Sequence, residues 1–169
     1  MLRDLQRPLK QRYKEDPGQA MIPAHASAII DIDGVTCRVT TSSTAVVAGL
    51  HPAAGGTGAF ACSADMLPEG LVACAGVTLA AVASAMSVVI TGGRIVADGH
   101  WDARGTLGVD REAPVGMTDI TVRFELVTEA DAETVARLID LTERYCVIAQ
   151  TLAAPPAVGF SHSTLPSGS

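Results

Sequence analysis

The alternation of apolar and polar positions divides the chain into segments of different period. Leu2, Leu5, Leu9 and Tyr13 recur at helical spacing with charges between them, which predicts an amphipathic helix over residues 2–14, closed by Asp16-Pro17-Gly18. From Ala24 to Asp31 and from Val35 to Thr41 the pattern is strand-like about the turn dipeptide Asp33-Gly34, the mark of a hairpin. In its second strand Val35, Cys37 and Val39 share one face and Thr36, Arg38 and Thr40 the other, so Cys37 is expected in the core. A strand-like stretch follows around residues 94–107. Over residues 118–127, Ile120, Val122, Phe124 and Leu126 alternate with Thr121, Arg123 and Glu125, the clearest period of two in the chain and the signature of an antiparallel strand with one wet face. Thr128 and Asp131 then resemble a capping box that opens a helix through Val135, Leu138, Thr142 and Tyr145.

Between Glu69 and Arg94 there is no charged residue, a run long enough to pose the question of a membrane span. Its six alanines, its Gly76, Thr78, Ser84 and Ser87, and the lack of a basic cluster at either end predict instead a helix buried in a soluble domain. That helix should run from Met66 to about Met86, before Val88-Val89-Ile90 turns to strand. The order of elements gives an α+β domain. A helix apolar on all sides needs cover on all sides, and in so short a chain part of that cover is expected from a second subunit. One domain is expected over residues 1–152, with 1–16 as a helical arm and 153–169 as a flexible tail.

Composition narrows the picture. A chain of 169 residues with 48% apolar content can bury one core, and only 4% aromatic content means that small side chains bring a helix close to a sheet. The net charge of −6 excludes a nucleic-acid partner, which needs a basic face. Five basic against three acidic residues give the first sixteen positions +2 and leave −8 for the rest, so the basic arm should dock on an acidic body or partner subunit. The N-terminus reads as no secretory peptide, which predicts a cytoplasmic protein with reduced cysteines. Four scattered histidines, with His100 and Asp102 the only near pair, predict no metal, and no other cofactor is expected. Residues 49–59 are glycine-rich, but no Lys occurs after Lys14, which removes a P-loop lysine and Schiff-base chemistry from the body of the domain. The serine-hydrolase elbow G-x-S-x-G is also absent.

The cysteines, Cys37, Cys62, Cys74 and Cys146, contain no C-x-x-C pair. Cys74 shares a helical stripe with Leu67, Leu71, Thr78 and Ala81, an apolar setting that raises a thiol pKa and suits a core cysteine as well as a redox one. Cys146 follows the charged helix end Glu143-Arg144-Tyr145, where access and polarity are expected; it too reads either way. Cys62, at the entrance to the central helix, reads as structural or as an assistant to chemistry. His51, beside the flexible glycines, is placed to line a pocket, and Leu71 and Thr78 are further candidates for substrate contact.

The run Ser63-Ala64-Asp65-Met66-Leu67-Pro68-Glu69-Gly70-Leu71-Val72-Ala73-Cys74-Ala75-Gly76-Val77-Thr78-Leu79 resembles the segment of the OsmC/Ohr family (osmotically inducible and organic hydroperoxide resistance proteins) in which an acidic, leucine-rich helix leads to the reactive cysteine. Arg144-Tyr145-Cys146-Val147-Ile148 resembles that family's second cysteine after its last long helix. Residues 48–53, 105–116 and 142–146 are similar to a bacterial OsmC-like subgroup, and the resemblance runs from about Leu2 to Leu152. It implies antiparallel sheets wrapped around a long buried central helix in an intertwined homodimer with active sites at the subunit interface. It also implies a thiol peroxidase in which Cys74 attacks an organic hydroperoxide, Cys146 resolves the sulfenic acid as a disulfide, and an external dithiol, on a lipoylated or thioredoxin-like protein, resets the pair. Family members keep the attacking sulfur ionised with an arginine paired to an acid. Asp65 is similar in position to that acid. The glycine-flanked arginine loop of the hydroperoxide resistance branch has no counterpart, which leaves Arg38 and Arg104 as candidates. A non-catalytic module binding an apolar ligand and a thiol redox sensor are the alternative readings.

Overall fold

In the computed structural model, which describes residues 2–41 and 44–164, the amphipathic opening forms helix α1 (Leu2–Glu15) with no buried residue. The last five residues of the expected tail lie outside the described residues. A 3₁₀ turn at Pro17–Ala20 follows, its first amide satisfied by Asp16, whose carboxylate accepts from Gly18 N–H at 3.1 Å. Arg3 donates to the carbonyl of Ala85, tying the basic arm to the end of the long helix described below.

The hairpin forms from β1 (Ser27–Asp31) and β2 (Thr36–Thr40), and continues through β3 (Ala45–Gly49) and β4 (Ala61–Cys62) into a sheet of order β1-β2-β3-β4. The first two pairings are antiparallel and β3–β4 is parallel, so the sheet is not wholly antiparallel as expected. Val35 belongs to the turn, at φ 50°, and not to the strand. That left-handed conformation is uncommon for a β-branched residue and moves the strand start to Thr36. Cys37 lies opposite Ile30 and Ala48 and is half-buried, so its core placement is met only in part. Within the glycine-rich loop a Cβ on Gly56 would sit 1.8 Å from the Leu50 carbonyl oxygen, so the loop closes on its own backbone.

Helix α2 (Met66–Met86) has the predicted span. Its buried residues Leu71, Ala75, Leu79, Val82 and Ala83 lie at helical spacing and form one stripe, while Leu67, a turn before that stripe begins, and Val77 on another face are exposed. The helix is long and apolar enough to cross a membrane by length and composition, yet only 28% of its most apolar window is buried in this chain. The expectation of enclosure on every side is therefore not met within one subunit, because a single chain supplies packing to one stripe only.

Residues 87–91 form no strand. Strand β5 (Gly92–Trp101) ends earlier than predicted, and residues 103–106 are instead a one-turn helix, α3 (Ala103–Thr106), capped by Asp102. Strand β6 (Met117–Val127) pairs with β5 in a two-stranded antiparallel ribbon, with Ile95 opposite Phe124 and Ala97 opposite Val122. Helix α4 (Ala132–Tyr145) is capped by Asp131, whose carboxylate accepts from Thr134 N–H at 2.7 Å. Thr128 is no part of that cap. Its hydroxyl donates to the Val89 carbonyl, closing the ribbon's end. A short helix, α5 (Val147–Ala153), completes the fold. The core lies where α2, α4 and the ribbon meet: Leu79, Val82, Ala83 and Leu138 are buried with Ile95, Phe124 and Leu126 packed on them.

Candidate functional site

Two helix faces converge on the cysteines. Leu71, Cys74, Ala75 and Thr78 follow one another at helical spacing on α2, and Cys146 occupies the joint between α4 and α5. The Cys146 amide still bonds back to the Thr142 carbonyl at 2.9 Å, and its own carbonyl accepts from Gln150 N–H at 3.0 Å, so the residue ends one helix and begins the next. No glycine or proline marks this break. The β-branched pair Val147-Ile148 is the only local hint, and sequence reasoning did not assign those two residues a role.

The joint packs Cys146 against Leu71 and Ala75, with Cys74, Ile148 and Ala149 around them. Cys146 is buried, with 1% of its surface exposed, which corrects the expectation that it is the more accessible of the two sulfurs. Cys74 is half-buried, and the two thiols lie within hydrogen-bonding reach of each other. All four cysteines are free thiols.

Environment pushes the two sulfurs in opposite directions. Burial alone raises the Cys74 thiol, but the Ile148 amide, the Cys146 thiol, the Val147 amide and the Thr78 hydroxyl all donate to its sulfur, and together they hold it below the usual thiol range. Burial raises the Cys146 thiol; the Ile148 and Ala149 amides do not offset this, and the neighbouring Cys74 sulfur raises it further. Cys74 therefore ionises first and Cys146 retains its proton. Neutral donors, from the α4–α5 joint and from Thr78 on α2, thus act on the sulfur within one chain in the same direction as the cation expected from the sequence.

An open apolar groove of about 940 Å³ runs beside Cys146, with Leu71, Ile120, Val122, Phe124 and Leu152 among its other walls. The other predicted residues stand apart from the thiols. Asp65 is exposed at the start of α2 and makes no side-chain capping bond. Arg38 is exposed on β2, opposite Ile29 and Val47. Arg104, on α3, is held by Asp102 at 2.6 Å and Asp110 at 3.4 Å. His51 accepts from Ala53 N–H through Nδ1 at 3.0 Å, and its ring meets Trp101 edge-on at 5.6 Å. It lines a smaller cavity of about 270 Å³ with Cys62, Leu67 and Met117. The structure thus brings Cys74, Cys146, Leu71 and Thr78 together; Asp65, Arg38, Arg104 and His51 lie elsewhere in the same chain. No cluster of potential metal ligands occurs among the described residues.

The family model for OsmC-like proteins matches residues 56–161, which include both thiols and the helices that carry them. The chain belongs to the OsmC-like family. Its fold agrees with solved members at low identity. An OsmC-like protein from Mycoplasma pneumoniae superposes with a TM-score of 0.67 at 16% identity, covering 79% of this chain and 89% of that one. An organic hydroperoxide resistance protein from Elizabethkingia anophelis, with thiocyanate bound, gives 0.58 at 13% identity over 80% and 91%. A putative organic hydroperoxide resistance protein from Vibrio cholerae, with captopril bound in one of its active sites, gives 0.56 at 14% identity over 80% and 88%. No curated protein matches the sequence. For this OsmC-like chain, membership carries the general redox role of the family, and the α+β fold is that of its members.

Proposed function

We propose that this OsmC-like protein is a cytoplasmic, homodimeric thiol peroxidase that reduces organic hydroperoxides to alcohols, with Cys74 attacking and Cys146 resolving. The observation that carries this reading is the pair of adjacent thiols whose acidities are displaced in opposite directions. The attacking sulfur must be a thiolate, and Cys74 is the one whose ionised form is favoured. It displaces the alkoxide from ROOH: an S–O bond forms, the O–O bond breaks, and the alkoxide takes up a proton and leaves as ROH. The Cys146 sulfur then attacks the Cys74 sulfenic sulfur and gives up its proton; the S–S bond forms and water leaves. An external dithiol, lipoylated or thioredoxin-like, reduces the disulfide by exchange and is itself oxidised.

A second subunit belongs to this reading, since one chain covers α2 along a single stripe. Members of the family often function as dimers. Asp65 with Arg38 or Arg104 is the acid and arginine pair that a dimer would assemble. Arg38 is the better placed, having no carboxylate partner among the described residues, whereas Arg104 already holds two. Leu71 walls the groove that would receive the substrate chain, His51 lies in the adjoining cavity, and Thr78, beside the Cys74 sulfur, would meet the substrate there. The apolar groove also suits the second reading, a non-catalytic module for an apolar ligand.

The test is turnover of cumene hydroperoxide by the reduced protein with an excess of dithiol, together with mass spectrometry of the oxidised chain. A Cys74–Cys146 disulfide is expected, and Cys74→Ser abolishes consumption. Cys146→Ala retains one stoichiometric oxidation without sustained turnover, and its Cys74 alkylation profile moves to higher pH because the sulfur has lost a donor. Turnover that survives in Cys74→Ser refutes the assignment. Co-purified apolar ligand with no peroxide-dependent loss of thiol supports the binding module.

A further inference from the structure

The walls of the groove beside Cys146 are apolar except at a few positions, and the charged residues among them are Asp119 and Glu143, both acidic. Among the described residues no Lys, Arg or His lines it. The chain as a whole carries −6, so no wider basic field offsets the local one. Asp119 lies at the start of β6, where His100 Nδ1 stands 3.1 Å from both of its oxygens and the Thr118 hydroxyl donates at 3.0 Å. The His100 bond, and then the Thr118 bond, hold this carboxyl below its usual range, so it is anionic at neutral pH. Glu143 is exposed on the last turn of α4, three residues before Cys146.

We infer that Asp119 and Glu143 make this groove selective for uncharged apolar molecules, such as alkyl hydroperoxides and alkyl esters, over the carboxylates of free fatty acids. An alkyl chain gains from the apolar walls whatever its head group. A carboxylate head must in addition lose hydration close to two like charges with no cation to receive it, which opposes binding. As a statement about turnover this rests on the peroxidase reading above; as a statement about binding it does not.

The experiment uses the full-length reduced protein and two probes of equal chain length, octanoic acid and methyl octanoate, each displacing Nile red at about pH 7.5 in low salt, where the acid is ionised. The ester is expected to displace the dye at a concentration roughly tenfold lower than the acid, and added salt narrows the gap by screening. Asp119→Asn with Glu143→Gln closes most of the gap and removes its salt dependence. Glu143→Gln alone, at an exposed position, narrows it in part and keeps the test alive if the double variant does not fold. Equal affinity, a preference for the acid, or a gap untouched by either variant overturns the inference, as does failure of both probes to bind, which would mean that a second copy fills the groove. In parallel, linoleic acid hydroperoxide and its methyl ester are compared as substrates. If neither is consumed while the binding preference holds, the peroxidase reading fails and the selectivity stands; if both are consumed equally well, the reverse is true.

Discussion

The two halves of the chain bury their apolar residues to very different degrees. In the C-terminal half, α2, α4 and the β5–β6 ribbon close around Leu79, Val82 and Leu138, the last fully buried. In the N-terminal half, Ile29 and Ile30 occupy opposite faces of β1, yet they are 73% and 70% exposed, and Ile32 and Val35 in the following turn are open as well. Both faces of β1 and the outer faces of α2 are therefore uncovered in one chain. Exposed apolar residues in such number mark an interaction site, and among the described residues the buried apolar clusters lie in the helix–ribbon half.

The largest expected effect comes from the open half. Ile30→Asp should abolish self-association, measured by sedimentation or light scattering, while leaving the helix–ribbon fold intact; a dimer that survives the change removes β1 from the interface. Next is the closed half, where Leu138→Ala should cost about 2–5 kcal/mol in chemical denaturation, as for any large buried aliphatic truncated to a cavity. An Ile29→Ala variant studied as a monomer should change stability far less, and equal effects at the two positions would erase the contrast between the halves. Smaller again is Thr142→Val. Thr142 is fully buried and its hydroxyl donates to the Leu138 carbonyl at 2.8 Å, so its loss should cost about 1 kcal/mol. The smallest concerns the cap of α4. The Thr134 amide holds the Asp131 carboxyl below its usual range, so the stabilisation is fully present above the ordinary carboxyl pKa and is lost as pH falls through the lower, folded value. Asp131→Asn should flatten that acid limb of the stability profile while sparing stability at neutral pH.

The strongest periodic signals were the most legible. The alternation from Ile120 to Leu126 became β6, the uncharged run became α2 with the predicted span, and the charged amphipathic opening became α1. Local chemistry was harder to assign where two backbone solutions compete. Asp131, not Thr128, caps α4, because Thr128 is committed to the carbonyl of Val89 thirty-nine residues away. Residues 103–106 left the strand pattern for a helical turn once Asp102 capped the Arg104 amide at 2.9 Å.

For the thiols, sequence identified the two cysteines but mistook their surroundings. Charged neighbours at positions 143–145 suggested an accessible Cys146, yet it turns inward between two helices while Tyr145 points to solvent. The apolar stripe around Cys74 suggested a thiol that only a cation could ionise, yet the first amides of α5 and the Thr78 hydroxyl lower it.

What the amino-acid order determined by itself is the set of periods, and with them the elements, because helix and strand each require apolar residues at fixed short spacings. What only the tertiary structure decided is the meeting of positions 74 and 146 and the direction in which each sulfur's acidity moves. Those depend on how closely the backbone amides of the α4–α5 joint approach each sulfur once the joint packs on α2, and spacing along a chain carries no record of that.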